Sequence, residues 1–256
     1  MQLVDTHTHL YLPEFDPDRD ETVKSALTNN VVKLLMPNID VHSVERMFSV
    51  ENRFPGICYS MIGLHPTSVR VDFATQLDQL KIAISNHKFV AVGEIGIDLF
   101  WDKTFIAEQV KAFRRQVSLA LDIDLPLVIH SREAFREIFD VLQEFKMRPL
   151  KGVFHAFSGD IETAEKAISL GFRLGIGGIV TFKNSGLDKV VKLAGLENLV
   201  LETDSPYLAP SPYRGKRNES SYLYIICEKL AEVFNVTAEE IASVTSGNAF
   251  ELFQIL

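Results

Sequence analysis

The chemistry-bearing residues of this chain stand where short apolar runs end. The first run leads into Asp5-Thr6-His7-Thr8-His9. Side chains alternate along an extended strand, so His7 and His9 share one face, about 6.5 Å apart along the chain. Two neutral imidazoles aimed at one point make half of a metal site; on an inert fold the same pair would be buried or surface histidines. FVAVGE ends in Glu94, SMIGLH in His65, PLVIH in His130, GVFH in His155 and LVLETD in Asp204. Each alone reads better as a residue satisfied by a neighbour. A carboxylate such as Glu94 needs a partner wherever it is buried. As a set they say more. Five of the seven histidines fall at the ends of four different runs, and only His42 and His87 lie elsewhere, in polar helical contexts that read as solvated.

His7, His9, Glu94, His130, His155 and Asp204 supply more nitrogen and oxygen donors than one tetrahedral zinc takes. The number suits two divalent ions sharing a carboxylate. Such ions sit roughly 3.5–4 Å apart and clamp the attacking and leaving oxygens of a displacement. A donor set without thiolate admits Zn²⁺, Mn²⁺ or Mg²⁺. No G-x-S-x-G, P-loop or C-x-x-C motif offers a rival chemistry.

For these residues to converge, the runs must be strands with a common direction. The runs cover residues 3–6, 31–36, 57–62, 89–92, 126–129, 152–154, 172–176 and 199–201. They are nearly continuous rather than alternating, as in strands buried on both faces. Helical periodicity lies between them, clearest over residues 105–121, where Val110, Phe113, Val117, Ala120 and Leu121 recur at three- and four-residue steps. Residues 134–145, 161–170 and 187–193 repeat the pattern. Residues 221–234 and 238–252 supply closing helices, the first ended by Asn235 and the second opened by a Thr237–Glu240 capping box. Eight strand–helix units in about 250 residues predict a single α/β domain over residues 1–256, a closed (β/α)8 barrel with extra C-terminal helices. An open doubly wound sheet would carry a glycine turn after its first strand, and here that strand runs into THTHL. A barrel gathers its chemistry at the carboxyl ends of its strands, where these residues stand.

The chain carries 26 Lys plus Arg against 34 Asp plus Glu, a net charge of −8, with 46% hydrophobic and 23% charged residues. That composition supports a large core and excludes a disordered chain. The apolar runs, such as VVKLLM and LPLVI, fall far short of the roughly 20 residues of a spanning helix. MQLVDTHTHL has no basic region and no cleavage site. The expectation is therefore a cytoplasmic protein without signal peptide or membrane partner, with Cys58 and Cys227 reduced and buried. The acidic balance argues against coating long nucleic acid, but not against holding one end or a short strand. The sequence does not fix an oligomeric state.

DTHTHL, GLHP, GEIGID, LVIHSRE, GVFHAFSG, LETDSPYLAP and PYRGKRNES, in this order and spacing, resemble the TatD-type metal-dependent deoxyribonucleases of the amidohydrolase-like hydrolases. The resemblance runs from Met1 to Gly247-Asn248-Ala249. It implies a TIM barrel that uses divalent metal to hydrolyse phosphodiester bonds, acting as an exonuclease on DNA ends or short single strands. On that resemblance His7 and His9 are the first metal pair, Glu94 the bridging carboxylate, and His130 and His155 the ligands of the second ion. Asp204 binds metal and takes the proton of the attacking water, and His65 faces the substrate phosphate. Many relatives in the wider superfamily carry a carboxylated lysine where Glu94 stands, so the glutamate sorts this chain toward the TatD branch. The chain departs from the pattern twice. Leu99, Phe100 and Trp101 follow Asp98 where a tyrosine is common, and Ala156 stands where a cysteine is frequent. The first departure leaves open how a base is held.

Arg214, Lys216 and Arg217 crowd one segment of an acidic protein. They read as a grip on phosphates, or as a basic loop that is solvated or tied to acidic neighbours. Arg132 carries the same two readings, the second being an ion pair with Glu133 or Glu137. Asp5 and Asp98 are candidates to orient a histidine through its other ring nitrogen. Phe100, Trp101 and Tyr207 offer stacking faces or core packing. A nuclease is the leading function. An amide, ester or lactone hydrolase, or an aminoacyl-RNA deacylase, would need the same dinuclear site, so metal and fold do not separate them. Arg132 and the basic segment favour phosphate. A dead metal-binding scaffold is the third reading, and the complete donor set argues against it.

Overall fold

Strands alternate with helices throughout the computed structural model, which describes residues 1–255. The strands are β1 (Leu3–Asp5), β2 (Val31–Met36), β3 (Cys58–Ser60), β4 (Val92–Asp98), β5 (Leu127–Arg132), β6 (Gly152–Phe154), β7 (Phe172–Ile176) and β8 (Leu199–Leu201). The helices are α1 (Arg19–Thr28), α2 (Val44–Arg53), α3 (Phe73–Asn86), α4 (Ile106–Asp122), α5 (Phe135–Gln143), α6 (Ile161–Ser169), α7 (Leu187–Ala194), α8 (Leu223–Phe234) and α9 (Ala238–Phe253). Every ladder is parallel, in two arcs that follow chain order, β1 to β3 and β4 to β8. Backbone bonds join the arcs at both seams. Val90 N donates to Ser60 O at 3.1 Å and Gly93 N to Ile62 O at 2.9 Å; across the other seam Thr6 N donates to Leu201 O at 3.0 Å and Asp204 N to His7 O at 2.9 Å. The sheet closes on itself as a (β/α)8 barrel, which removes its edges. The helix α8 is the eighth of the ring, and α9 is the addition.

Inside the barrel Val4, Leu35, Met61, Ala91, Val128, Val153 and Val200 pack together, sealed by Phe253 and Ile255 at the end of the chain. This is a filled core, not a pore, so the chemistry has only the carboxyl-end mouth to occupy. Asn235 ends α8 in the left-handed region at φ 58°, and the Thr237 hydroxyl caps α9 by accepting from Glu240 N at 3.2 Å. The helices α1 and α3 have no clear signal in the sequence. The first buries only Thr22, Val23 and Ala26, and the second only Leu77 and Leu80, so neither shows a wide apolar stripe.

The fourth strand differs from expectation. Apolar residues placed it at 89–92, whereas β4 begins at Val92 and continues to Asp98. Gly96 explains the difference. Its φ is +141°, and a Cβ there would lie 2.0 Å from His130 O, so β4 and β5 approach at a distance only glycine permits. A glycine reads as punctuation in a sequence, which conceals the strand. Glu94 is therefore inside β4 and not at its end.

His87 also departs from expectation. Its Nε2 lies 2.8 Å from Glu51 Oε2 and its ring 4.2 Å from Phe48, so it is a packed residue rather than a solvated one. His42 is exposed. Cys58 and Cys227 are free and buried, and burial pushes both thiols up. Among the described residues no helix is long and apolar enough to cross a membrane.

Candidate metal centre

The Glu94 carboxylate is the hub of the mouth, and its two oxygens face different imidazoles. Oε2 lies 3.1 Å from His7 Nε2 and 3.6 Å from His9 Nε2. Oε1 lies 2.9 Å from His130 Nδ1, 3.1 Å from His65 Nε2 and 3.7 Å from His155 Nε2. Asp204 Oδ1 closes the ring at 3.6 Å from His9 Nε2, 3.7 Å from His7 Nε2 and 3.9 Å from His155 Nε2. All six expected ligands thus meet in one place, with His65 beside them. They come from the segments at the carboxyl ends of β1, β3, β5, β6 and β8 and from within β4.

Neighbouring groups aim the rings. The Tyr11 hydroxyl donates to Pro37 O at 2.7 Å, so it accepts from His9 Nδ1 at 3.1 Å. That leaves the His9 Nε2 lone pair facing Glu94 and Asp204, as a metal ligand requires. His65 is the reverse. Its Nδ1 accepts from Thr67 N at 3.2 Å, so the proton sits on Nε2 and points at Glu94. A protonated nitrogen suits donation to an anionic oxygen. His130 Nε2 lies 3.0 Å from Asp98 Oδ2, which turns Nδ1 toward Glu94. His155 Nδ1 lies 3.0 Å from Glu202 Oε1, at ion-pair distance, with Nε2 toward the centre.

Burial opposes every charge here, so the pattern of charges depends on the partners. It raises the Glu94 carboxyl, but His65, His155 and His7 outweigh it and hold the group well below the usual carboxylate range. Asp204 is lowered against burial by His155 and His9. Burial lowers His7 and His65. It opposes the charge on His155 too, yet Glu202, Glu94 and Asp204 raise that imidazole to about 10. His7 stacks on His155 at 3.5 Å, where two positive rings would repel; one is raised and the other lowered. Asp98 and Glu94 likewise raise His130 against burial.

The donor chemistry fits divalent cations. Three sets of ligand atoms lie within 4.8 Å of one another: His7, His155 and Asp204; His7, His9 and Glu94; His65, Glu94 and His130. An imidazole must shed its proton to ligate, so metal must displace the proton that His155 holds. Binding followed calorimetrically at pH 7 in buffers of different ionisation enthalpy is expected to show proton release. Affinity should weaken as pH falls. An affinity independent of pH between 6 and 8 would contradict this charge pattern.

Asp5 does not orient a ring. It accepts from Thr203 N at 2.9 Å and Thr203 Oγ1 at 2.6 Å, with His7 N at 3.3 Å, tying the end of β1 to the segment after β8. Burial raises its carboxyl to about 7. Among the cations, Arg217 departs from the expected phosphate grip. Its guanidinium is engaged by Asp18 at 2.7 and 2.8 Å and Glu219 at 3.0 Å, pinning the loop to the segment before α1. Arg132, Arg214 and Lys216 have no carboxylate within 4.0 Å among the described residues. Arg132 lies 3.9 Å over the Phe100 ring and Arg214 4.4 Å over Phe182, while Lys216 is exposed.

The profile of the family described as TatD related DNase matches residues 4–254. The chain belongs to the TatD family. The uncharacterized metal-dependent hydrolase YabD of Bacillus subtilis is 37% identical over 254 residues, covering 99% of both chains. The solved structure of YjjV, a TatD homologue from Escherichia coli K12, superposes with a TM-score of 0.92 at 30% identity, covering 99% of this chain and 98% of that one. A TatD family hydrolase of Entamoeba histolytica, at 22% identity and a TM-score of 0.86, shares the fold over 98% of each chain. The protein is a metal-dependent hydrolase of the TatD family.

Two residues of this TatD site escaped the sequence reading. Tyr11 follows His7 and His9 at the next alternate position, and Glu202 precedes Asp204 by two. Both lie in segments already singled out, and continuing the two-residue alternation would have found them. Glu202 is fully buried over Gly175, where a Cβ would lie 2.2 Å from Glu202 Oε2. Gly175→Ala should therefore displace the carboxylate that supports His155. The expected loss is about 10- to 100-fold in metal affinity or turnover, matching Glu202→Gln. Calorimetry and steady-state rates check it, and an alanine variant with wild-type values would dissociate Glu202 from the function of His155.

Proposed function

We propose that this TatD-family hydrolase cleaves phosphodiester bonds of DNA, at ends or in short single strands. The observation that carries this reading is a set of cations without a carboxylate partner among the described residues, Arg132 at the carboxyl end of β5 and Arg214 and Lys216 in the segment between Asp204 and α8, in a protein with a net charge of −8. Cations without carboxylate partners in an acidic protein suit an anionic substrate. The description of the family as DNases supports the same class.

Two divalent ions, Mg²⁺, Mn²⁺ or Zn²⁺, would supply Lewis acidity and lower the pKa of water. His7 and His9 on the Oε2 side of Glu94, with His130 and His155 on its Oε1 side, would hold them, with Asp204 completing the set. The remaining work falls to the chain. Asp204, ionised and at the rim of the cluster, accepts the proton of the attacking water at its carboxylate. His65 donates from Nε2 to a phosphate oxygen as negative charge develops there. Arg132 offers its fork to the flanking phosphate.

The test is hydrolysis by metal-loaded protein of end-labelled single-stranded DNA, duplex DNA and RNA beside a panel of amides and lactones. Faster turnover of an amide or lactone than of any nucleic acid would overturn the reading. Substrate contact is tested separately. Changing Arg214 and Lys216 together to alanine should reduce the logarithmic salt slope of single-strand binding by about 1.4, since each phosphate contact contributes about 0.7. An unchanged slope would leave that loop a solvated feature.

A further inference from the structure

Phe100 and Trp101 form the exposed aromatic turn that follows β4, 45% and 68% exposed, with rings edge to face at 4.9 Å. Single exposed apolar residues are ordinary on a protein surface. This pair differs because it is anchored to the reaction centre. Asp98 Oδ1 accepts from Phe100 N at 2.9 Å and Trp101 N at 3.0 Å, and the other oxygen of the same carboxylate lies 3.0 Å from His130 Nε2. The turn is thus one carboxylate away from an imidazole that faces Glu94.

Arg132 completes the arrangement. Its guanidinium carbon lies 3.9 Å over the Phe100 ring and 5.3 Å from the centre of the Trp101 ring. The Phe100 ring quadrupole holds the cation, and the indole stays two-thirds exposed. An open indole beside an unpaired guanidinium matches a nucleotide, which presents a flat base next to a phosphate.

We infer that Trp101 is the stacking platform for the base of the nucleotide next to the scissile phosphate, with Arg132 taking that nucleotide's phosphate and Phe100 bracing Arg132. The inference rests on the nuclease reading. It makes Trp101 a binding residue that favours a strand bearing a base at this position over one that lacks it. Stacking tolerates any base, so no sequence preference follows.

Two oligonucleotides decide it, identical except that one carries a tetrahydrofuran abasic unit at the nucleotide flanking the scissile bond. Trp101 is the only tryptophan in the chain, so its fluorescence reports on this turn alone. Phosphorothioate versions added to metal-loaded protein should quench that fluorescence when the base is present, and much less when it is absent. With cleavable strands the abasic KM should exceed the base-bearing KM by about ten-fold or more in the wild type. Trp101→Ala should collapse that ratio toward one, and Trp101→Phe should restore part of it. Arg132→Gln should raise KM for both strands alike. A ratio unchanged in Trp101→Ala overturns the assignment, as does a ratio abolished by Tyr207→Ala instead, since Tyr207 lies 6.0 Å from His9 and is also exposed. Wild-type protein that cleaves neither strand overturns the nuclease reading itself. Cleavage without dependence on Trp101 overturns the platform alone.

Discussion

Glu94→Gln is expected to abolish the proposed two-ion site. The change keeps the shape of the side chain but replaces one acceptor oxygen by an NH₂ that only donates. Glu94 Oε2 faces His7 and His9 while Oε1 faces His130, His65 and His155, so either orientation of the amide strips one half of the centre of its shared anion. Metal stoichiometry by calorimetry or elemental analysis should fall from two to one or none. Turnover of phosphodiester substrate should fall by about 10³-fold or more, the scale of several kcal/mol of lost charge stabilisation. The circular dichroism spectrum is the necessary control. Removing one partner from a buried charge cluster costs about 3–5 kcal/mol. A barrel that stays folded and still binds two ions would exclude the bridging role.

Asp204→Asn should leave metal stoichiometry less affected and remove turnover. Its carboxylate is ionised, because His155 and His9 outweigh burial, and Oδ1 stands 3.6–3.9 Å from His9, His7 and His155. An amide can neither accept a proton from water nor neutralise a cation. Loss of a positioned general base typically costs 10²–10⁴-fold. Single-turnover rates at saturating metal separate this loss from weakened metal binding, and near-wild-type rates would dismiss Asp204 as the proton acceptor. Unlike Glu94, the residue lies beyond its strand, and Asp204 adopts φ 58°, in the left-handed region that asparagine also tolerates. The backbone is therefore expected to survive the change.

The sequence by itself determined the class of chemistry and the end of the barrel where it occurs. His7, His9, Glu94, His130, His155 and Asp204 are recognisable because donor type is a property of each residue. Their positions beside apolar runs follow from alternation within a few residues. Both signals are local, and the closed barrel needs only eight such units in order. The tertiary structure decided how the donors are held and which cations are free. Glu202 is 47 positions from His155, and Asp18 is 199 from Arg217, so no local pattern pairs them. Arg217 looks identical to Arg214 in the sequence. Asp18 and Glu219 engage the first, while Phe182 backs the second and leaves it without a carboxylate. Asp5 could as well have supported an imidazole, until the closing seam set Thr203 against it. The extension of β4 through Gly96 depended on the His130 carbonyl on the neighbouring strand. In each case the outcome rests on distances between segments remote in sequence, because hydrogen bonds and ion pairs are decided within about 3–4 Å, a range that only folding brings about.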